Sequence, residues 1–444
     1  MKEAEQPTIG IIGMGDMGRM YAKRLSAGGI KKIYVCDRPE TYDALKAEFE
    51  GTGVTPLQDG HAVSRLSTFI IYSVEAAVLA SVVAQYGPST RLGAVVAGQT
   101  SVKAPEKEAF EKWLPKDVGI TSVHSLHGPS VTTEGQPLII IHHRGPKENV
   151  AMVEEVFRSF KSRYVYLSYE QHDQVTANTQ AVTHAAFLSM GTAWHKSSSY
   201  PWETTRYVSG IEVIKVNITL RIYSAKWHVY AGLALLNPSA QSQIHQYATS
   251  TTELFKLMIE GRGLELEERI WKAREEVFGW RAGQEAPSDE RKPILLSEHV
   301  LDQFSLGKAQ GTEKERESLN SHLSLLAMVD CWAKLGIRPY EHLDVAGTPV
   351  FTLWIGVAEY LFRSPSLLTS ALRAALKDTV HRPDDVEFVI AARGWSECVD
   401  VGNFEWYQRR FEETADFFAP RFEEATKLGG KMIKAIQNGM KGRD

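Results

Sequence analysis

A chain of 444 residues is longer than one ordinary core organises, so two or three domains are expected. A formal charge of −4, from 50 basic and 54 acidic side chains, argues against bulk nucleic-acid binding or a polybasic membrane patch. Cys36, Cys331 and Cys398 lie too far apart for a disulfide framework or zinc knuckle, no run reaches the about eighteen apolar residues of a membrane span, and MKEAEQPTIGIIG lacks the marks of a signal peptide, so the cytoplasm is the expected location.

Short apolar, β-branched runs alternate with helix-like stretches from the start. TIGIIG (8–13), KKIYVCD (31–37), STFIIYSV (67–74), AVVAG (94–98), GITSVHS (119–125) and PLIIIHH (137–143) read as buried strands, and MGRMYAKRLSAGG reads as a helix stopped by glycines. Continuous apolar strands separated by helices predict a mostly parallel sheet covered on both faces. The fold class is therefore an α/β N-terminal Rossmann-type domain over residues 1–170, followed by an all-α region.

Between the first strand and the first helix stands Gly13-x-Gly15-x-x-Gly18. Gly13 permits the tight turn, Gly15 lets the backbone approach a pyrophosphate, and Gly18 lets the helix lie close on the strand. The helix N-terminus adds free N–H groups and the positive end of its dipole. Met17 in the same turn and Ser73 beyond the third run complete this face of the predicted cofactor site. The second strand ends in YVCDRPE, where two signals conflict. Asp37 stands where an acid binds the ribose 2′-hydroxyl of NAD, while Arg38 is placed to pair with the 2′-phosphate of NADP. Arg38 tips the expectation to NADP, with NAD as the alternative, provided Asp37 turns away.

In an open α/β sheet the ligand lies beyond the carboxyl ends of the strands. AGQTSVK (97–103) and TSVHSLHGPS (121–130) begin at such ends. Oxidising an alcohol by hydride transfer needs a group that takes the hydroxyl proton, and histidine suits this because its pKa lies near neutrality. A serine hydroxyl can hold the same oxygen. A zinc site built from His124 and His127 with His142 or His143 would lack a cysteine or a carboxylate pair, so no metal is expected. His142 and His143 point to opposite faces of a continuing strand.

Five segments, GMGDMG (13–18), SVE (73–75), QTSVK (99–103), HSLHGP (124–129) and EQHDQVTANTQAVTH (170–184), resemble the prephenate dehydrogenases of tyrosine biosynthesis, nearest to the fungal NADP-linked branch. The resemblance implies that Ser101 and His124 are the catalytic positions and that His184 lines the substrate pocket. It further implies oxidative decarboxylation of prephenate to 4-hydroxyphenylpyruvate. His124 would take the proton of the ring C4 hydroxyl as hydride passes from C4 to the nicotinamide and the ring carboxylate leaves as CO₂. Two positions depart from the family pattern. Ser125 stands where a proline is usual, and Gly232 falls where the family carries its substrate-carboxylate arginine. Prephenate is a dianion, so Arg221 or His228 is expected to replace that arginine; seven residues apart, they share a face of one continuous helix, with Lys226 off it. A related arogenate or 3-hydroxy-acid dehydrogenase is the alternative enzyme. A dinucleotide-sensing regulator without chemistry is the non-enzyme alternative, which Ser101 and His124 argue against.

From about residue 172 the pattern turns helical, broken at RAGQEAPSDERKP (281–293), a predicted linker. Beyond it SHLSLLAMVDCW (321–332) matches THAAFLSMGTAW (183–194) in one register, His322 against His184 and Trp332 against Trp194. The spacing from Trp227 to Pro238 recurs from Trp354 to Pro365. These matches predict a helical domain over 171–285 and a degenerate second copy over 286–444, packed as a pseudo-dimer within one chain; otherwise the partner is a second chain in a homodimer. A terminal helix, EWYQRRFEETADFFAPRFEEATKLGGKMIKAI, is expected to dock on this core.

Overall fold

The apolar runs of the N-terminal part form β1 (Ile9–Ile12), β2 (Ile33–Cys36), β3 (Val54–Pro56), β4 (Phe69–Tyr72), β5 (Val95–Gly98), β6 (Gly119–His124), β7 (Pro137–Arg144) and β8 (Arg163–Tyr166). They make one eight-stranded sheet in the order β3-β2-β1-β4-β5-β6-β7-β8. The computed structural model describes residues 6–441 except 130, 204–209, 288–292, 296–297, 308–319 and 348. The chain divides into two compact units, Met1–Thr176 and Ala177–Asp444.

Every neighbouring pair in the sheet is parallel except β6 with β7. No helix stands between those two strands, and without a crossover the chain can only turn back. Elsewhere helices supply the crossovers: α1 (Asp16–Ala27), α2 (Tyr42–Glu48), α3 (Gly60–Leu66), α4 (Ala76–Tyr86), α5 (Ala104–Trp113) and α6 (Glu148–Phe157). Ile9, Ile11, Val35, Phe69, Ile71, Ala97, Val123 and Ile140 of the strands meet Tyr21, Leu25, Phe157 and Phe160 in one buried cluster. All six expected strands are present. The edge strands β3 and β8 were not legible as apolar runs, because each exposes alternate residues. β1 pairs with β2 on one side and β4 on the other, so the order reverses at β1, which is where such sheets open a ligand crevice.

α7 (Tyr169–Lys196) begins in the first unit and continues into the second. The helical unit goes on with α8 (Ile211–Tyr223), α9 (Trp227–Leu236), α10 (Pro238–Ile259), α11 (Gly263–Phe278) and the single turn α12 (Glu298–Leu301). α13 (Leu323–Leu335), α14 (Pro339–Ala346), α15 (Pro349–Arg363), α16 (Pro365–Lys377) and α17 (Arg382–Val401) follow. α10 packs on α13 and α17, and α11 packs on α13. α17 meets α7 where Trp395 Nε1 donates to Thr192 Oγ1 over 3.0 Å.

The expected terminal helix is two helices, α18 (Phe404–Phe418) and α19 (Phe422–Lys441). The turn Ala419–Arg421 between them holds Pro420, which has no N–H to continue the helix. α18 packs on α8 and α9, and α19 on α8. Of the expected linker at 281–293, residues 288–292 lie outside the described residues. The stretch before them is tied down by Arg274, a fully buried guanidinium that donates to the carbonyls of Trp280, Arg281, Gln284 and Phe362. One local pattern occurs twice. α10 starts with Pro238 after Asn237, whose side chain caps its first turn, and α16 starts with Pro365 after the capping Ser364.

Candidate active site

The turn between β1 and α1 is built around absent side chains. Gly13 has φ +99°, and a Cβ there would lie 2.4 Å from the Ser73 carbonyl oxygen. A Cβ on Gly18 would lie 2.1 Å from the Gly13 carbonyl oxygen, so helix and turn touch only because Gly18 is bare. At Gly15 a Cβ would meet nothing within 4 Å. Packing does not require that glycine; a ligand approaching the backbone does. Gly15 also opens α1 without a side-chain cap. Together these features fit the phosphates of a dinucleotide, which the first-turn amides would hold.

Asp37 does not point away from this turn. One of its carboxylate oxygens accepts the Met14 N–H at 3.0 Å and the other the Arg38 N–H at 2.8 Å. The carboxylate thus braces the glycine turn, and the Arg38 side chain lies exposed beside it. Ser73, at the end of β4, donates its backbone N–H to Ile12 and accepts from Gln99 Nε2 at its hydroxyl, closing the turn from the other side. Met17 packs half-buried against the sheet's core cluster.

Beyond β5 and β6 the first unit carries a buried polar chain. His124 ends β6 at 9% exposure, and its Nδ1 lies 2.8 Å from Nε2 of His172 in α7. His172 is fully buried, with Nδ1 2.9 Å from Asp173 Oδ1. Asp173 in turn accepts the N–H groups of Lys103 at 2.7 Å and Ala104 at 2.8 Å, where α5 begins. A carboxylate there satisfies amides the helix cannot, and meets the positive end of its dipole. Burial holds both imidazoles well below the usual histidine range, helped at His124 by the neighbouring charges of His172 and Lys103. Burial pushes the Asp173 carboxyl up to about 6 against the pull of its two amide donors.

Beneath this chain lies a second buried group. Lys103 Nζ donates to both oxygens of Glu106 at 3.0 and 2.8 Å, to Gly98 O at 3.0 Å and to Val123 O at 3.1 Å. Both side chains of this pair are fully buried. Ser122 Oγ accepts the Gly98 N–H and lies 2.8 Å from Tyr169 Oη. Adjacent strand ends are thereby fixed to each other and to α7. Ser101 is half-buried in the loop they hold, with Thr100 Oγ1 2.6 Å from the Val102 carbonyl across it. Leu126, two residues past His124, has φ +53°, a left-handed backbone that turns the chain sharply away from the strand.

The remaining histidines separate. His127 Nδ1 meets the adjacent Gly128 carbonyl, His142 Nδ1 meets Thr121 Oγ1, and the partly exposed His143 pairs with Glu111. In the helical unit His184 is buried with its ring 4.8 Å from Tyr230 and 4.7 Å from Trp354, and burial lowers its pKa to about 3. Its Nε2 has no hydrogen-bond partner among the described residues. Gly232 is buried in α9. The expectation that Arg221 and His228 share one helix face is overturned. α8 ends at Tyr223 and α9 starts at Trp227, so they belong to different helices. Ser224 donates back to the Arg221 carbonyl and Lys226 is extended, a break that no Gly or Pro announces. Arg221 is exposed and His228 half-buried.

His172 and Asp173 went unassigned in the sequence, although they form the HD pair of a quoted motif. The Lys103–Glu106 pair was present there only as an acid three residues after a lysine.

Two family models match this chain. One, described as NADP oxidoreductase coenzyme F420-dependent, matches residues 8–96, and the other, described as a 6-phosphogluconate dehydrogenase C-terminal domain, matches 181–438. A probable prephenate dehydrogenase [NADP(+)] of Schizosaccharomyces pombe is 54% identical over 439 residues, 99% of either chain. The prephenate dehydrogenase [NADP(+)] of Saccharomyces cerevisiae is 51% identical, over 96% of this chain and 93% of its own. The chain belongs to the NADP-linked prephenate dehydrogenase family. Among solved structures, a prephenate dehydrogenase from A. aeolicus in complex with hydroxyphenyl propionate and NAD+ is 20% identical, covering 60% of this chain and 94% of that one, with a TM-score of 0.48.

Proposed function

We infer that this chain oxidises and decarboxylates prephenate to 4-hydroxyphenylpyruvate with NADP⁺, a step of tyrosine biosynthesis. Beside the family relationship, the observation that carries the reading is a buried, neutral imidazole, His124, at the carboxyl end of a strand in a sheet whose first turn is shaped for a dinucleotide. NADP⁺, when bound, supplies the hydride acceptor for C4 of the ring. His124 accepts the proton of the C4 hydroxyl, and the Ser101 hydroxyl holds the same oxygen. Release of the ring carboxylate as CO₂ leaves its bonding pair to complete the aromatic ring. The C4 oxygen then takes a proton back and ends as a phenol. The reaction is neutral in protons, so His124 has only to hold one and return it.

Arg38 is the group we assign to the 2′-phosphate, with Asp37 committed to the turn. Losing a charge-assisted contact of this kind is expected to raise KM for NADP about 10- to 100-fold in Arg38→Ser, with KM for NAD changed little. Steady-state kinetics with both cofactors checks this. For the substrate's carboxylates we assign Arg221, since the Lys103 ammonium is consumed by Glu106. Arg221→Ala is expected to raise KM for prephenate about 10- to 100-fold while kcat stays within a few-fold, the pattern of lost ground-state binding. His184, kept neutral by burial, would serve as a hydrogen-bonding group and not as a cation.

The deciding assay gives purified protein prephenate or arogenate with NADP or NAD and follows reduced cofactor by absorbance. Turnover of neither substrate would sink the reading. The three cysteines are buried free thiols, which suits the cytoplasm. Among the described residues no helix is long and apolar enough to cross a membrane. The reading of 171–285 and 286–444 as tandem copies draws support from the paired cap-and-proline breaks before α10 and α16. It also draws support from an exchange of partners, α11 against α13 and α17 against α7.

A further inference from the structure

We propose that His172 and Asp173 decide which nitrogen of His124 acts as the base, and that they take up its proton during the reaction through a two-histidine relay. The inference rests on His124 being the base. Each contact in the chain needs one hydrogen. The Asp173 carboxylate accepts from two backbone N–H groups already, so toward His172 it is an acceptor and His172 carries its hydrogen on Nδ1. Nε2 of the neutral His172 is then a lone pair. It accepts from His124 Nδ1, 2.8 Å away, so His124 also carries its hydrogen on Nδ1. One nitrogen remains without a hydrogen, His124 Nε2. It is the nitrogen that turns to the alcohol. A carboxylate two residues removed from the substrate thus selects the reactive tautomer.

The same chain has a use after the proton arrives. An imidazolium at His124 would be a buried cation facing Lys103 and His127, both of which already oppose its charge. A shift of one hydrogen from His124 Nδ1 to His172 Nε2, and of another from His172 Nδ1 to Asp173 Oδ1, leaves both rings neutral and Asp173 protonated. The three groups pass from a net charge of about −1 to about 0, and no isolated positive charge is buried. Reversal of the two shifts returns the proton through His124 Nε2 to the phenol oxygen. Lys103 also faces His172, and Lys103 and Glu170 face Asp173. With its carboxyl raised to about 6, Asp173 is anionic at neutral pH yet basic enough to take a proton transiently. The arrangement is therefore expected to fail as pH falls through about 6, where Asp173 protonates and no longer dictates the tautomer. His172 and Asp173 are positioning residues here; neither is required to touch substrate.

Nitrogen-15 NMR of the full-length, histidine-labelled protein without substrate tests the first half. Above pH 7, His124 and His172 are expected as Nδ1–H tautomers. In Asp173→Asn the amide donates to His172 Nδ1, both rings switch to Nε2–H, and the base nitrogen is occupied. That variant is expected to lose about 100- to 10,000-fold in kcat, with KM for prephenate and NADP within about threefold and the acid limb near pH 6 gone. His172→Gln keeps an acceptor for His124 Nδ1 but cannot pass a proton. It should leave His124 as the Nδ1–H tautomer, lose about 10- to 100-fold in kcat, and be less impaired than His172→Leu. An Nε2–H tautomer at His124 in the unaltered protein, or full kcat in Asp173→Asn, overturns the proposal. Should Asp173→Asn not fold, the wild-type tautomer and the Gln against Leu comparison still decide it. Failure of the wild type to turn over prephenate removes the functional reading and leaves the tautomer measurement standing by itself.

Discussion

His124→Asn is expected to lower kcat with prephenate and NADP about 100- to 10,000-fold and to leave both KM values within a few-fold. Asparagine is smaller than histidine yet can still bond to His172, so the change removes the base without leaving the His172 ring unpartnered. The loss belongs in kcat because the proton moves only as the C4–H bond breaks, whereas the ground state holds the hydroxyl by an ordinary hydrogen bond. The wild type should show no falling limb from His124's own titration near pH 6.5, since burial and the charges of His172 and Lys103 hold that imidazole well below its usual range. Steady-state kinetics across pH 5.5–9 reads both features. Full activity in the variant would take His124 out of the chemistry while leaving the reaction itself assigned.

The second large effect is on stability. Lys103→Met leaves the Glu106 carboxylate fully buried with its cation gone and withdraws a donor from the carbonyls of Gly98 and Val123. Removing one member of a buried ion pair costs about 3–5 kcal/mol, because the remaining charge stays desolvated. For a unit of this size that corresponds to a fall of about 6–20 °C in the midpoint of its thermal transition. The double change Lys103→Met with Glu106→Leu removes both charges and should recover more than half of the loss. Calorimetry of the wild type, the single and the double variant measures this. Equal losses in single and double would mean that the pair is not coupled as its geometry requires.

The contrast between these residues explains what the sequence could convey. Gly13, Gly15 and Gly18 are readable because a local turn demands them, and the strands around them because burial on both faces leaves continuous apolar runs. β3 and β8 escape notice because edge strands are half exposed and short. The break between Arg221 and His228 escapes it because Ser224 and Lys226 end and begin helices through backbone geometry that many residues can adopt. The fine structure of the site is harder still. His172 meets His124 across 48 residues of sequence, and Asp173 meets Lys103 across 70. A histidine beside an aspartate near a helix start has many uses, and only the folded sheet selects this one. The site's residue types were thus visible in the chain, while their partnerships were products of topology.

The Asp37 contact to Met14 has a bearing on how cofactor preference could change over generations. The acid that would favour one cofactor is built into the turn, so replacing it disturbs the fold of the phosphate cradle itself. The Arg38 side chain, exposed next to it, makes no hydrogen bond among the described residues that the fold depends on. Selectivity is therefore carried by a side chain free to vary, on a backbone kept in place by one that is not. Drift between the two nicotinamide cofactors has an open path at one position and a structural barrier at its neighbour.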